Sequence, residues 1–428
     1  MKYFIIYFLL CFSILESYSQ SVSVLKSRFT NYLNFNGSLN SLVSFSENSV
    51  TITNNGKPEF TIYENELPFF EKLFTSQKTE QCVAIYNWKK NTHLSKKQLD
   101  SLSQIKSEVV IPILGLRDGL KNRKIAIDPG HFGGNMEVGR VEQKYLYFVP
   151  NEANKLKDTI QFNEGYLTYL TAEVLKQKLE EQGAKVFITR PKQNLTAFQI
   201  TYDDWISKKK KHTLDSLLKI GTITQQRHSA LMKMTKQKMF WEFFRDYELM
   251  ERARIINEFK PDITVIIHYN VDEKNTDWKN PSDKNFTMTF IGGGMTADNF
   301  SKTVNKIHFL RLLITNQLNE SEKLSSLTVN QFNTEMKIAI AKKNDADYLR
   351  DNCLKTASNG VFCRNLALCR TINSPLVYGE CLYQDNLKEC VALNKSDFEI
   401  YNLKMPKRIY EAANCYYNAI NEYFKNSN

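Results

Sequence analysis

The chain has 428 residues and a net charge of +11, with 42% hydrophobic, 12% aromatic and 24% charged residues, the composition of a globular protein of two or three domains. This balance excludes a disordered tail, a collagen-like fibre and a small disulfide-stapled scaffold. Its one long apolar run is N-terminal, which excludes a polytopic membrane protein, and the positive excess favours an anionic partner.

Lys2 leads into the apolar residues 3–15, and Ser17 and Ser19 follow at the −3 and −1 positions of a cleavage site. This is the pattern of an export signal over residues 1–19, so the periplasm or cell envelope is the expected location. Residues 20–119 then read as a small α+β domain of unknown role. Two strands within 44–63 flank the turn signal Asn54-Asn55-Gly56, helices are expected at 67–74 and 96–105, and strands at 82–88 and 108–114. Arg117-Asp118-Gly119 forms a linker.

From residue 120 to 428 the pattern alternates. Residues 124–127 form a strand that ends in Asp128-Pro129-Gly130-His131. A helix over 164–181 starts after the N-cap Asn163 and stops before Gly183. A strand at 185–189, a helix at 247–259 and a strand at 263–267 ending in His268 come next. Strands at 285–291, 366–369 and 376–378 precede a terminal helix over 406–424, with Pro406 tolerated in its first turn. Such alternation predicts an α/β fold, a mostly parallel sheet flanked by helices on both faces. In such folds reactive groups gather beyond the carboxyl ends of strands, where His131, His268 and Glu380 are expected.

Residues 191–246 read as a basic helical insertion between a core strand and the next core helix. Within 191–240 ten Lys or Arg stand against three Asp, a net +7, and Lys208 to Lys211 are consecutive. Its position suggests a flap beside the cleft and a contact for an activating protein. The lysines are expected to meet anionic wall polymer, lipid headgroups or solvent, and no nucleic-acid partner is expected. Beyond Cys11 there are seven cysteines, six of them in the last 76 residues. At least one disulfide among Cys353, Cys363, Cys369, Cys381, Cys390 and Cys415 is expected in an exported protein; no Cys-x-x-Cys pair suggests a zinc cluster.

Metal hydrolases hold the ion with three side chains drawn from His and carboxylates and use a further carboxylate to move protons. His131, Glu164, His268 and Glu380 supply that set from four separate elements. Their surroundings resemble a known family. Lys124 to His131 looks like an opening metal motif, and Glu164 to Arg190 like a Glu-led helix, turn and strand. Arg252, Asn257, Asp262 and Ile267-His268-Tyr269-Asn270 look like a third block. Gly360-Val361, Arg364 and Pro375 to Glu380 look like the closing one. Together they resemble the zinc-dependent N-acetylmuramoyl-L-alanine amidases that include bacterial cell-wall autolysins.

By that resemblance His131, Glu164 and His268 would bind Zn2+ and Glu380 would be the general base. Arg364 would face the substrate, the amide between N-acetylmuramic acid and L-alanine of peptidoglycan. Two non-catalytic or neighbouring readings share the same residues: a peptidoglycan-binding or amidase-regulating protein, and a zinc peptidase or deacetylase. The sequence departs from the family where Phe132 intrudes before Gly133-Gly134 and where Cys381-Leu382 follows Glu380. The spacing after His131 also leaves Glu142 as an alternative second ligand. Glu164 is preferred, because its step to Arg190 matches the family's helix, turn and strand. His93, His212, His228 and His308 are read as surface or packing residues, and Arg252 and Asn257 as supporting ones.

Overall fold

The computed structural model describes residues 21–76, 78–103, 119–276 and 279–425. The export signal and the strand expected at 108–114 lie outside the described residues. No described helix is long and apolar enough to cross a membrane. The chain divides into two compact units, one of Met1–Ile111 with Met295–Thr315, the other of Pro112–Gly294 with Asn316–Asn428.

In the first unit, β1 (Val43–Phe45), β2 (Ser49–Asn54) and β3 (Lys57–Tyr63) form an antiparallel sheet, and the expected hairpin turns at Asn55 and Gly56, both with positive φ. Helices Leu67–Ser76 and Lys96–Ser103 form as expected. Residues 82–88 are not a strand: they lie in the helix Thr79–Lys89, which buries Cys82, Tyr86 and Lys89 along one stripe. The helix Thr303–Ile314, remote in sequence, belongs to this unit, where Arg28 donates to the Leu313 carbonyl and Lys306 pairs with Glu59.

The second unit is built on a mixed, mostly parallel sheet. Its strands are β4 (Lys124–Pro129), β7 (Lys185–Ile188), β8 (Ile263–Asn270), β9 (Phe286–Ile291), β10 (Ala339–Ile340), β11 (Leu354–Lys355), β12 (Val361–Cys363) and β13 (Leu376–Tyr383), while β5 (Tyr145–Phe148) and β6 (Ile160–Asn163) form a separate hairpin. The order is β11-β12-β9-β13-β8-β4-β7, with β10 beside β9. Strands β4, β7, β8 and β13 run parallel, and β13 pairs antiparallel with β9.

The central strands are apolar on both faces because both are covered. Ile125, Ile127, Ile263, Val265 and Ile267 face a core built with the helices Glu164–Glu181, Gln317–Met336 and Lys407–Lys425. Ala126 and Ile266 face the other core, with Ala253 and Ile256 of the helix Arg245–Phe259. Residues 366–369 do not form a strand, since Ala367–Thr371 is a short helix that packs Leu368 and Cys369 into this second core.

The disulfide expectation is also corrected. All seven described cysteines are free thiols and all are buried. Cys381, Cys390 and Cys415 pack in one core and Cys353 and Cys369 in the other, so they act as small apolar side chains.

Candidate active site

Four elements of the second unit converge at the end of the sheet. β4 stops at Pro129, and Gly130 extends its pairing by donating to the Ile267 carbonyl. Glycine is required there: a Cβ on Gly130 would stand 2.3 Å from the His268 ring. His131 follows with φ of +58°, a left-handed conformation that a residue other than glycine adopts only when its surroundings impose it.

Those surroundings are polar and buried. Arg252 donates to the carbonyls of Pro129 (2.9 Å) and His131 (3.2 Å), and also pairs with Asp128 and Glu248. Arg190 donates to the carbonyls of Pro129 and Gly130. The carboxylate of Glu142 receives the backbone N–H groups of Phe132 (3.2 Å) and Gly133 (2.6 Å) and lies 3.3 Å from His131 Nδ1.

Glu164 opens its helix as expected, behind Asn163, whose side chain accepts from the Tyr166 N–H. Its Oε2 lies 3.3 Å from His131 Nε2, and its Oε1 lies 2.9 Å from His268 Nδ1 and 3.1 Å from the Tyr269 N–H. Gln384 and Lys144 reach the same carboxylate at 3.3 and 3.9 Å. His268 and Glu380 are not beyond their strands but within them. β8 and β13 continue to Asn270 and Tyr383, and pair His268 directly with Glu380. The His268 ring stacks on Tyr378 at 4.6 Å.

His131, Glu164 and His268 each offer a ligand atom, and the three atoms lie within 4.8 Å of one another; among the described residues no other such group of His, Cys, Asp or Glu occurs. Each imidazole stands beside the Glu164 carboxylate, His131 Nε2 3.3 Å from Oε2 and His268 Nδ1 2.9 Å from Oε1, so the donor set is two imidazoles and a carboxylate, a set that suits zinc. Glu142 faces the opposite nitrogen of His131 and stands outside the group.

The charges respond to burial and to each other. Burial would lower the His131 pKa, but Glu164 and Glu142 raise it to about 9. Burial pushes His268 down to about 4 against the pull of Glu164, leaving the neutral imidazole that ligates metals. Burial would raise Glu164, yet His131 and Lys144 hold it well below the usual carboxylate range. Glu380 moves the other way: burial, then the charge of Glu164, pushes it up to about 8, with Lys144 and Arg364 opposing. Arg364 lies over the rings of Tyr348 (4.9 Å) and Phe290 (5.2 Å).

The model of the family described as N-acetylmuramoyl-L-alanine amidase matches residues 125–414. The chain belongs to that family. Its enzyme class is therefore that of an amidase. Three solved structures are similar to this amidase. The Clostridioides difficile amidase CwlD, solved in complex with the GerS lipoprotein, is 15% identical, with 71% of this chain and 99% of that one covered and a TM-score of 0.37. The catalytic domain of CwlV from Bacillus (Paenibacillus) polymyxa var. colistinus is 13% identical over 71% and 98%, with a TM-score of 0.36. Ami1 from Mycobacterium smegmatis is 13% identical over 72% and 100%, with a TM-score of 0.39. No curated protein matches the chain.

The remaining expected residues of the amidase are brought in as supports. Asn257 joins the loops at Thr371 and Asn373, and the Asp262 carboxylate accepts from the Lys124 N–H at 2.7 Å. His228 pairs with Asp215, and His93 packs on Tyr63. Lys144 and Gln384 carry no motif and were not singled out in the sequence, and Tyr378 was read only as part of the closing block; the pairing of β8 with β13 brings Tyr378 and Gln384 to the site.

Proposed function

We propose that this amidase is an exported zinc hydrolase that cleaves the amide between N-acetylmuramic acid and L-alanine in peptidoglycan. The observation that carries the reading is the His131–Glu164–His268 group, with Glu380 paired to His268 across the strands, in a chain of this family. His131, Glu164 and His268 are the metal ligands. Zinc held there would supply a Lewis acid for the amide carbonyl and lower the pKa of water towards neutrality. Glu380 is the general base: it takes the proton of the attacking water and returns it to the leaving amine. A carboxyl pushed up to about 8 is poised for both transfers near neutral pH.

Arg364, over the rings of Tyr348 and Phe290, faces the substrate, and the export signal over residues 1–19 delivers the enzyme to its polymer. Digestion of purified peptidoglycan, with and without a chelator, tests the reading. Free stem peptides of the expected mass should appear and should vanish with the chelator. Products cut within the glycan or the peptide, or activity indifferent to the chelator, would overturn it.

A further inference from the structure

Phe132 fits no family motif, yet it follows the ligand His131 directly. Its side chain is 2% exposed and its ring lies 5.8 Å from Tyr202, 5.7 Å from Phe240 and 5.9 Å from Phe244, all in the insertion. The insertion has its own apolar core, with Trp205, Leu214, Leu231 and Met239, and that core closes only by including Phe132 together with Val138 and Val141 of the helix Met136–Glu142.

Polar contacts bind the same two parts. The Gly134 N–H donates to Asn194 at 2.6 Å, Gln193 donates back to the Gly134 carbonyl, and Lys236 pairs with Glu137 at 3.1 Å. The Ala197 N–H donates to Glu248, the carboxylate that holds Arg252 against the His131 carbonyl. The loop itself has no regular pairing beyond Gly130, and His131 stands in a left-handed conformation that needs outside restraint. The lysine run does not compete for this role. Lys208 and Lys211 pair with Asp204 and Asp215, and Lys210 donates to the Met232 carbonyl, all within the insertion.

We infer that the insertion, residues 191–246, is the positioning element of the metal site: its core fixes Phe132, and Phe132 fixes His131. The inference rests on the assignment of His131 as a ligand. It makes metal affinity a property of a hydrophobic core outside the ligand set, and it gives the insertion a function other than covering the cleft.

Zinc affinity of the full-length folded protein, measured by competition with a chromophoric chelator, tests it, beside the unfolding midpoint of the metal-free protein. Removing groups that orient a ligand typically costs 10–100-fold in metal affinity. Phe132→Ala and Phe244→Ala should each weaken zinc by about tenfold or more at temperatures where the metal-free variant stays folded. Phe132→Leu, which keeps an apolar side chain but not the ring, should lose less than Phe132→Ala. Ile220→Ser, at a tip residue that is 72% exposed, should bind as the parent does. If the alanine variants do not fold, Phe132→Leu and Phe244→Leu decide: a loss of at least about threefold supports the inference, and parental affinity overturns it. Parental affinity with a raised KM on peptidoglycan would also overturn it, and would make the insertion an access element. Parental affinity in His131→Ala would overturn the ligand assignment itself.

Discussion

Glu164 and Glu380 interact through their charges, and their surroundings shift the two carboxyls in opposite directions. Glu164 is ringed by donors, namely both imidazoles, the Tyr269 N–H, Gln384 and Lys144, and stays ionised. Glu380 is pushed up, to about 8, by burial and then by the charge of Glu164, which makes its carboxylate a stronger proton acceptor. Divergent environments of this kind separate a ligand from an acid–base group. Glu164→Ala should lose zinc and activity together, whereas Glu380→Gln should retain about one zinc per chain and lose about 10²–10⁴-fold in turnover. Atomic emission beside turnover on peptidoglycan checks both, and a normal rate for Glu380→Gln would refute its role. The order of His131, Glu164, His268 and Glu380 was legible in the sequence because His131 follows a strand, Glu164 opens a helix, and His268 and Glu380 stand at the ends of the apolar runs of two strands. The part of Glu142 was not. Its carboxylate acts on backbone N–H groups and on the far nitrogen of His131, and no residue pattern records such contacts.

At the scale of elements, strand lengths and two helices were misread, the longer helix for an identifiable reason. β8 and β13 extend past their apolar runs because they pair with each other through His268 and Glu380, so polar residues continue a strand. Residues 82–88 are apolar and aromatic enough to suggest a strand, yet the buried stripe of their helix is Cys82, Tyr86 and Lys89, and its third member is charged. Lys89 is buried because Glu66, equally buried, pairs with it at 3.0 Å, while the rings of Phe60, Tyr63 and Phe70 lie 5.3–5.7 Å from its ammonium. Glu66 in turn accepts from the N–H groups of Tyr63 and Leu94, tying together two segments distant in sequence. Breaking such a pair leaves an uncompensated buried charge. Lys89→Ala or Glu66→Ala should therefore cost about 3–5 kcal/mol, and the joint replacement Glu66→Leu with Lys89→Met should cost much less. Denaturant unfolding of the full chain followed by tryptophan fluorescence, with Trp88 beside the pair, gives the comparison.

At the scale of the whole molecule, the absence of bridges makes the thiols a reporter of packing. Burial raises Cys82, Cys369, Cys390 and Cys415 to about 12 and Cys353 to about 11, with Cys363 and Cys381 also well above the ordinary value. Cys381 contacts the hydroxyl of Tyr416, 3.1 Å away, inside the largest core. A thiol reacts as its thiolate, so native protein at pH 8 should leave the seven thiols unlabelled by an alkylating reagent and label them all in denaturant, counted by mass. Full recovery of free thiols is the outcome that the buried, unpaired arrangement requires; a bridged pair would contradict it. The same shifts fix a pH dependence. Below about pH 9 the thiols are protonated in both folded and unfolded chains and contribute no difference. Above it the unfolded thiols ionise first, since the folded ones hold their protons to about 11–12, so the unfolded chain is favoured progressively. Stability should therefore decline from about pH 9 towards 12, visible as a falling unfolding midpoint, and Cys→Ala or Cys→Val replacements in the cores should flatten the decline in proportion to the number of thiols removed.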